Sequence, residues 1–324
     1  MKRLPELDCA AEAERISIRL RDITFNQLRR RGLVVAMSGG IDSSVCAALA
    51  VRALGKEKVF GLLLPERDSA TSSTHLGKLL VDHLGIHHVL QDISPTLAAI
   101  GCYGSQDEVL RRVLPGFEDD WKFKLVITEA MGGRVAISRI VAQDPAGKSY
   151  DQRLNLIDYL QIVAATNFKQ RVRKTLEYFH ADRLNYAVVG TPNRLEYDQG
   201  FFVKNGDGAA DVKPIAHLYK TQVYAMAKFL GLPESLTTTT PTTDTFSLAQ
   251  GQDEFYFGLP YPQMDLALWH LNEGRSASEL AAALGCEVAV AEQKYATIRA
   301  KRSTTAYLHA APVLVAPLSP GDFK

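Results

Sequence analysis

Leu33-Val34-Val35-Ala36-Met37 runs straight into Ser38-Gly39-Gly40-Ile41-Asp42-Ser43-Ser44, and this junction decides how the chain folds. Five apolar residues with no polar alternation suit a strand buried on both faces. The glycine pair interrupts it, and a helix follows through Val45 to about Leu54, closed by Gly55, a residue at ease at a helix C-terminus. A strand that passes into a helix through a Gly/Ser turn leaves backbone N–H groups aimed into one crevice, which makes an anion site. The glycines let a phosphate approach the backbone and the serine hydroxyls add donors. Asp42, an odd neighbour for a polyphosphate by itself, makes sense as a ligand to Mg²⁺.

Outward from this turn, 59–64 reads as a second buried strand, 74–84 as a helix ending at Gly85, and 88–90 as the start of a third strand. The alternation predicts an α/β fold, a doubly wound parallel sheet with right-handed crossovers. In such a sheet the turn lies at the carboxyl end of a strand, where ligands collect. Residues 1–31 read as a charged amphipathic helix. The rhythm breaks over 101–150, where apolar segments at 121–127 and 134–140 flank Gly132-Gly133 and predict an inserted β-hairpin. A long helix is expected over 153–180, then a further central strand at 186–189 ending in Gly190-Thr191-Pro192-Asn193. Beyond it come a Gly-rich charged loop (200–214), a helix (219–230) and a Thr/Pro stretch at 237–243 suited to a flap. Two helices near 276–302 follow, the first opened by a capping box of Ser276 and Glu279. The chain is read as one domain over 1–324, with 303–324 expected as a loose tail.

The chain has 324 residues, 46% of them hydrophobic, enough to bury a large core. Its 37 Lys and Arg against 36 Asp and Glu leave a formal charge of +1, unlike a protein held to nucleic acid by counterion release. Four widely spaced cysteines form no CxxC pair, and the eight histidines show no metal spacing. No apolar run approaches the roughly 20 residues of a membrane span, and residues 1–17 lack the apolar core of a signal peptide, so a cytoplasmic protein is expected. Other phosphate motifs fail: Gly-x-x-x-x-Gly-Lys-Ser/Thr is missing, and Gly206-Asp207-Gly208 lacks the third glycine and preceding strand of a dinucleotide fingerprint.

Ser-Gly-Gly-x-Asp-Ser-Ser after the first strand resembles the pyrophosphate loop of the N-type ATP pyrophosphatases, which have an adenine nucleotide alpha-hydrolase-like, Rossmann-like fold. Three further segments resemble the ammonia-dependent NAD synthetases among them. These are Asn167-x-x-x-Arg171-x-Arg173, Gly190-Thr191 with Glu196, and Gly200-Phe201-Phe202-x-Lys204-x-Gly206-Asp207-Gly208-x-x-Asp211. The resemblance implies ATP-dependent amidation of deamido-NAD by ammonia, through an acyl adenylate. It assigns Ser38, Gly39, Gly40, Asp42, Ser43, Ser44, Thr191, Lys220 and Thr242 to ATP, with Arg67 on a looser match, and Asp42 with Glu196 to Mg²⁺. Asp42 and Lys220 are the catalytic pair, and loss of Lys220 is expected to spare the fold. Arg171, Tyr178, Phe201, Lys204, Asp207, Asp211 and Lys301 are assigned to deamido-NAD. A homodimer with the dinucleotide near the subunit interface is implied, with free ammonia or a separate donor as nitrogen source, and with neither nucleic acid nor membrane as partner.

The chain departs from the family pattern in its longer 101–150 region, and in Ala300-Lys301 where His-Lys is usual. These keep open a related enzyme that adenylates another carboxylate, and, in a different class, a nucleotide-binding module without turnover.

Overall fold

The computed structural model describes residues 4–128, 137–238, 245–248, 251 and 260–316. The first half carries α1 (Cys9–Asp22), β1 (Leu33–Ala36), α2 (Ile41–Leu54), β2 (Val59–Leu63), α3 (Thr71–Leu84), β3 (His87–Leu90), α4 (Ser94–Ala99) and α5 (Cys102–Val113). The segment expected as an insertion follows, made of β4 (Lys122–Thr128), β5 (Ile137–Gln143) and β6 (Ser149–Arg153). The second half holds α6 (Leu156–Leu184), β7 (Ala187–Val189), α7 (Arg194–Gln199), α8 (Lys220–Phe229), α9 (Glu234–Thr238), α10 (Tyr261–Asn272), α11 (Ala277–Leu284) and α12 (Val288–His309).

The main sheet is parallel with the order β3-β2-β1-β7. Leu33, Val35 and Met37 point into a core shared with α1, α2 and α8, while Val34 points with Leu62 and Val188 into a core shared with α4, α5 and α6. Both faces of β1 are therefore covered, which is why its sequence shows no alternation. Strand order reverses between β1 and β7, so the two turns that leave their carboxyl ends border one crevice.

Several expectations are corrected. The strand at 186–189 is not central: among the described residues β7 pairs with β1 alone, apart from a single bridge from Val189 to Val212. Its apolar character comes from helices on both faces, not from strands on both sides. The insertion is a three-stranded antiparallel meander of order β4-β5-β6, not a hairpin. Its third strand, Ser149–Arg153, is largely exposed and polar, so no hydrophobic pattern marks it. The turn before it is set by Asp144, which accepts from the backbone of Gly147 (2.9 Å) and, through its carboxylate, of Lys148 (2.9 Å). The expected Gly132-Gly133 turn lies outside the described residues.

Finally, α12 continues to His309, past the point where a loose tail was expected. Lys204 Nζ donates to the carbonyls of Tyr307 and Ala310 (2.7 and 3.2 Å), capping the helix, and the His309 ring packs against Tyr197 and Phe202. The long helix α6 starts at an Asn155 cap and runs four residues past its expected end, and the capping box of Ser276 and Glu279 opens α11. Residues 1–31 hold a shorter helix than expected, capped by Asp8 and followed by a π-type turn. Among the described residues no helix is long and apolar enough to cross a membrane, and all four cysteines are free.

Candidate active site

At the turn after β1, Gly39 adopts φ +77°, and a Cβ there would lie 2.5 Å from the carbonyl oxygen of Ser73. Only glycine fits both the conformation and the space. Gly40 is the extended N-cap of α2, with no side chain to occupy the first N–H groups of the helix. Ser38 Oγ accepts from Gly40 N (3.3 Å), while the Ser43 and Ser44 hydroxyls donate to Gly40 O (3.0 and 2.8 Å), so the serines brace the turn.

Asp42, in the first turn of α2, is drawn across the crevice. Its Oδ1 accepts from Asn193 Nδ2 at 3.0 Å, and its Oδ2 accepts from Lys220 Nζ. Glu196 Oε1 stands 4.0 Å from the same ammonium. Asn193 and Glu196 also form a reciprocal cap on α7, in which Asn193 Oδ1 accepts from the amides of Leu195 and Glu196 and Glu196 Oε2 accepts from Asn193 N at 3.2 Å. One asparagine thus fixes Glu196 and orients Asp42. Burial pushes the Glu196 carboxyl up to about 8, with the charge of Asp42 adding to the rise and Lys220 opposing it. Burial acts against the Lys220 ammonium, but Asp42 and Glu196 outweigh it and its pKa is raised.

Lys220 is fully buried at the N-terminus of α8, an unfavourable helix end for a cation. Asp265 of α10 offsets this by accepting from the Lys220 and Thr221 amides (3.2 and 2.8 Å). Two carboxylates facing one ammonium leave room for a second positive charge: a proton on Glu196, whose carboxyl sits at about 8, or a metal ion in its place. Two hard oxygen donors of this kind hold Mg²⁺ when substrate phosphates complete the shell, so the residues fit that ion.

The crevice opens into a cavity of about 630 Å³. Among residues expected from sequence, Ser38, Gly39, Gly40, Asp42, Ser43, Thr191, Glu196, Phe201 and Asp207 line it, with Ser44 and Lys220 buried behind them. Asp207 Oδ1 accepts from Val203 N at 2.7 Å, and burial raises its carboxyl. Others lie elsewhere. Arg67 is engaged by Asp68 (3.1 Å) and lies over the Tyr103 ring, and Arg171 is exposed with its Nε on Lys204 O. Asp211 accepts from Val188 N (2.7 Å) and Tyr178 OH (3.4 Å), bracing the outer edge of β7 beside a separate small pocket. Lys204 caps α12, Lys301 lies on α12 away from the cavity, and Thr242 lies outside the described residues.

Some cavity residues were not expected. Arg173 Nε donates to Leu64 O (3.0 Å) at the end of β2, and Lys174 pairs with Glu177. From sequence, Arg171 was assigned to deamido-NAD and Arg173 only marked the family segment; packing instead leaves Arg171 outside and turns Arg173 and Lys174 inward. Asn193 had a legible signal in Asn-x-x-Glu, the spacing of a capping box.

The sequence matches the family described as NAD synthase over residues 14–112 and 117–307. It is 56% identical over 314 residues to an NH(3)-dependent NAD(+) synthetase of Rhizobium meliloti (strain 1021), covering 97% of this chain and 94% of that one. The fold is similar to that of an NMN synthetase from Francisella tularensis (TM-score 0.66, 22% identity, 95% of this chain and 99% of that chain). It is also similar to an NH3-dependent NAD synthetase from Campylobacter jejuni (TM-score 0.63, 22% identity, 96% and 100%).

Proposed function

The chain belongs to the NAD synthase family, and from that premise we propose that it amidates deamido-NAD to NAD with ammonia, converting ATP to AMP and pyrophosphate. The observation that carries the reading is the cluster of Asp42, Glu196 and Lys220 at the switch point of the sheet, opening onto a cavity that also holds Phe201 and Asp207.

In the first step an oxygen of the nicotinate carboxylate attacks the α-phosphorus of ATP. The bond from that phosphorus to the bridging oxygen breaks, and pyrophosphate leaves with the electron pair. The turn from Ser38 to Ser43 and the first N–H groups of α2 receive the phosphates, and Lys220 offsets charge moving onto the leaving group. Asp42 and Glu196 would hold Mg²⁺, which when bound neutralises phosphate charge. In the second step ammonia attacks the acyl carbon, AMP departs, and the surplus proton passes to solvent. No protein nucleophile is needed, because positioning and electrostatics carry the rate.

A homodimer would account for Arg171, assigned to deamido-NAD but set outside the cavity. The outer face of α6 carries Ile157 (76% exposed), Leu160, Phe168 and Phe179 (58% exposed) at helical spacing, and Arg171 lies on the same face. A second copy packed there would bring Arg171 to a shared dinucleotide site. The four free cysteines suit a reducing cytoplasm.

Pyrophosphate release on mixing protein, Mg²⁺-ATP, ammonium and deamido-NAD tests the reaction, and turnover only with other nucleotide carboxylates would replace it. Asp42→Ala and Glu196→Ala should each lower turnover by orders of magnitude and weaken its Mg²⁺ dependence. Near-normal rates in both would sink the metal assignment.

A further inference from the structure

Lys174 and Glu177 form an ion pair inside the cavity wall, with Nζ to Oε2 at 2.6 Å and both side chains about 5% exposed. Glu177 is the one hydrogen-bond partner of that ammonium among the described residues. An ammonium has three N–H donors, and a buried one rarely leaves two unspent.

The neighbouring charges sharpen the point. Arg173, Lys174 and Lys213 interact electrostatically with Asp207, while Glu177 pairs with Lys174, so three cations face two carboxylates at this end. At the other end two carboxylates, Asp42 and Glu196, face one ammonium. The Lys174 end thus has cations in excess, while at the other end Glu196, pushed up to about 8 by burial and by Asp42, ionises only as a further cation arrives, and Asp207 is close enough to influence it.

We infer that Lys174, held in place by Glu177, binds the ionised carboxylate of the acid substrate and thereby separates it from the amide product. The inference rests on the proposed amidation. A carboxylate supplies the missing negative charge and accepts a charge-assisted hydrogen bond, whereas the neutral carboxamide supplies no charge. The same contact would hold an anion beside a polyphosphate that otherwise repels it, and would be given up when the carboxylate becomes the acyl adenylate, so the neutral amide formed next does not regain it.

The test compares Lys174→Met, Lys174→Arg and Glu177→Gln with wild type, measuring KM for deamido-NAD, KM for ATP, Kd for NAD and thermal unfolding. Lys174→Met should raise KM for deamido-NAD roughly ten- to hundredfold, the worth of one charge-assisted bond. KM for ATP and Kd for NAD should stay within about twofold, and Lys174→Arg should recover part of the loss. Equal weakening toward acid and amide, or an unchanged KM for deamido-NAD, makes the pair structural and overturns the inference. If Lys174→Met fails to fold, Lys174→Arg and Glu177→Gln decide, since either should still weaken acid binding more than amide binding. Absence of wild-type turnover with deamido-NAD would instead strike the proposed amidation, and acid and amide binding by wild type and variants would still read the role of Lys174.

Discussion

Lys220 shows how burial changes the meaning of a catalytic residue. From sequence its loss was expected to spare the fold, yet it is fully buried between Asp42 and Glu196. Removing one partner leaves uncompensated buried charge, so Lys220→Met should lose about 3–5 kcal/mol of stability as well as most activity. Urea unfolding beside the pyrophosphate assay checks both. Asp265 gives a pH prediction. Burial pushes its carboxyl up to about 6 even though the amides of Lys220 and Thr221 donate to it. In the unfolded chain an aspartate titrates near roughly 4. Between those values the folded protein binds more protons, so this carboxyl stabilises the fold below roughly pH 4 and the contribution is lost as pH rises through about 6. Melting temperatures of wild type and Asp265→Asn should therefore diverge over that interval, wild type losing ground as pH rises; a constant gap would refute the assignment.

Among the elements, α6 mixes its faces. Its buried side carries Asp158, Lys169, Lys174, Glu177 and His180 beside Ile162, Ala165 and Ala181, while Ile157, Leu160 and Phe179 face outward. Charged residues sit at buried positions because part of the inward side lines the cavity, so hydrophobic periodicity alone does not mark the core face. The insertion shows a different gap between sequence and structure. Its apolar strands were legible, but their purpose needs residues 245–248, far along the chain. Phe123 N donates to Ser247 Oγ and Leu248 N to Phe123 O (both 3.0 Å), Phe123 and Phe246 meet edge to face, and Leu125 and Phe246 reach the cavity wall. Lys169 adds a buried link, donating to Glu66 (3.0 Å), Asp68 (2.6 Å) and the carbonyl of Thr245 (2.8 Å). Phe123→Ala should cost about 3–5 kcal/mol by emptying this small core, read by thermal or urea unfolding. A loss below about 1 kcal/mol would mean the insertion packs independently of the 245–248 segment.

For the molecule as a whole, the exposed apolar face of α6 predicts assembly. Phe168→Glu with Phe179→Glu should shift the mass measured by light scattering from two chains to one, and raise KM for deamido-NAD if the dinucleotide site is shared. A wild-type monomer would end that reading. The net charge of +1 says nothing of local pairing: cations gather around Asp207 and Glu177, while Asp42 and Glu196 share one ammonium. By itself the sequence determined the Gly/Ser turn and the parallel α/β order, because each depends on residues adjacent in the chain: a glycine that alone fits a positive φ, a strand without polar alternation. The tertiary structure decided which charges meet. Asp42 with Lys220, Lys169 with Glu66, and the inward turn of Lys174 depend on burial and on contacts between segments far apart in the chain, and no local pattern encodes the face on which a basic residue is desolvated.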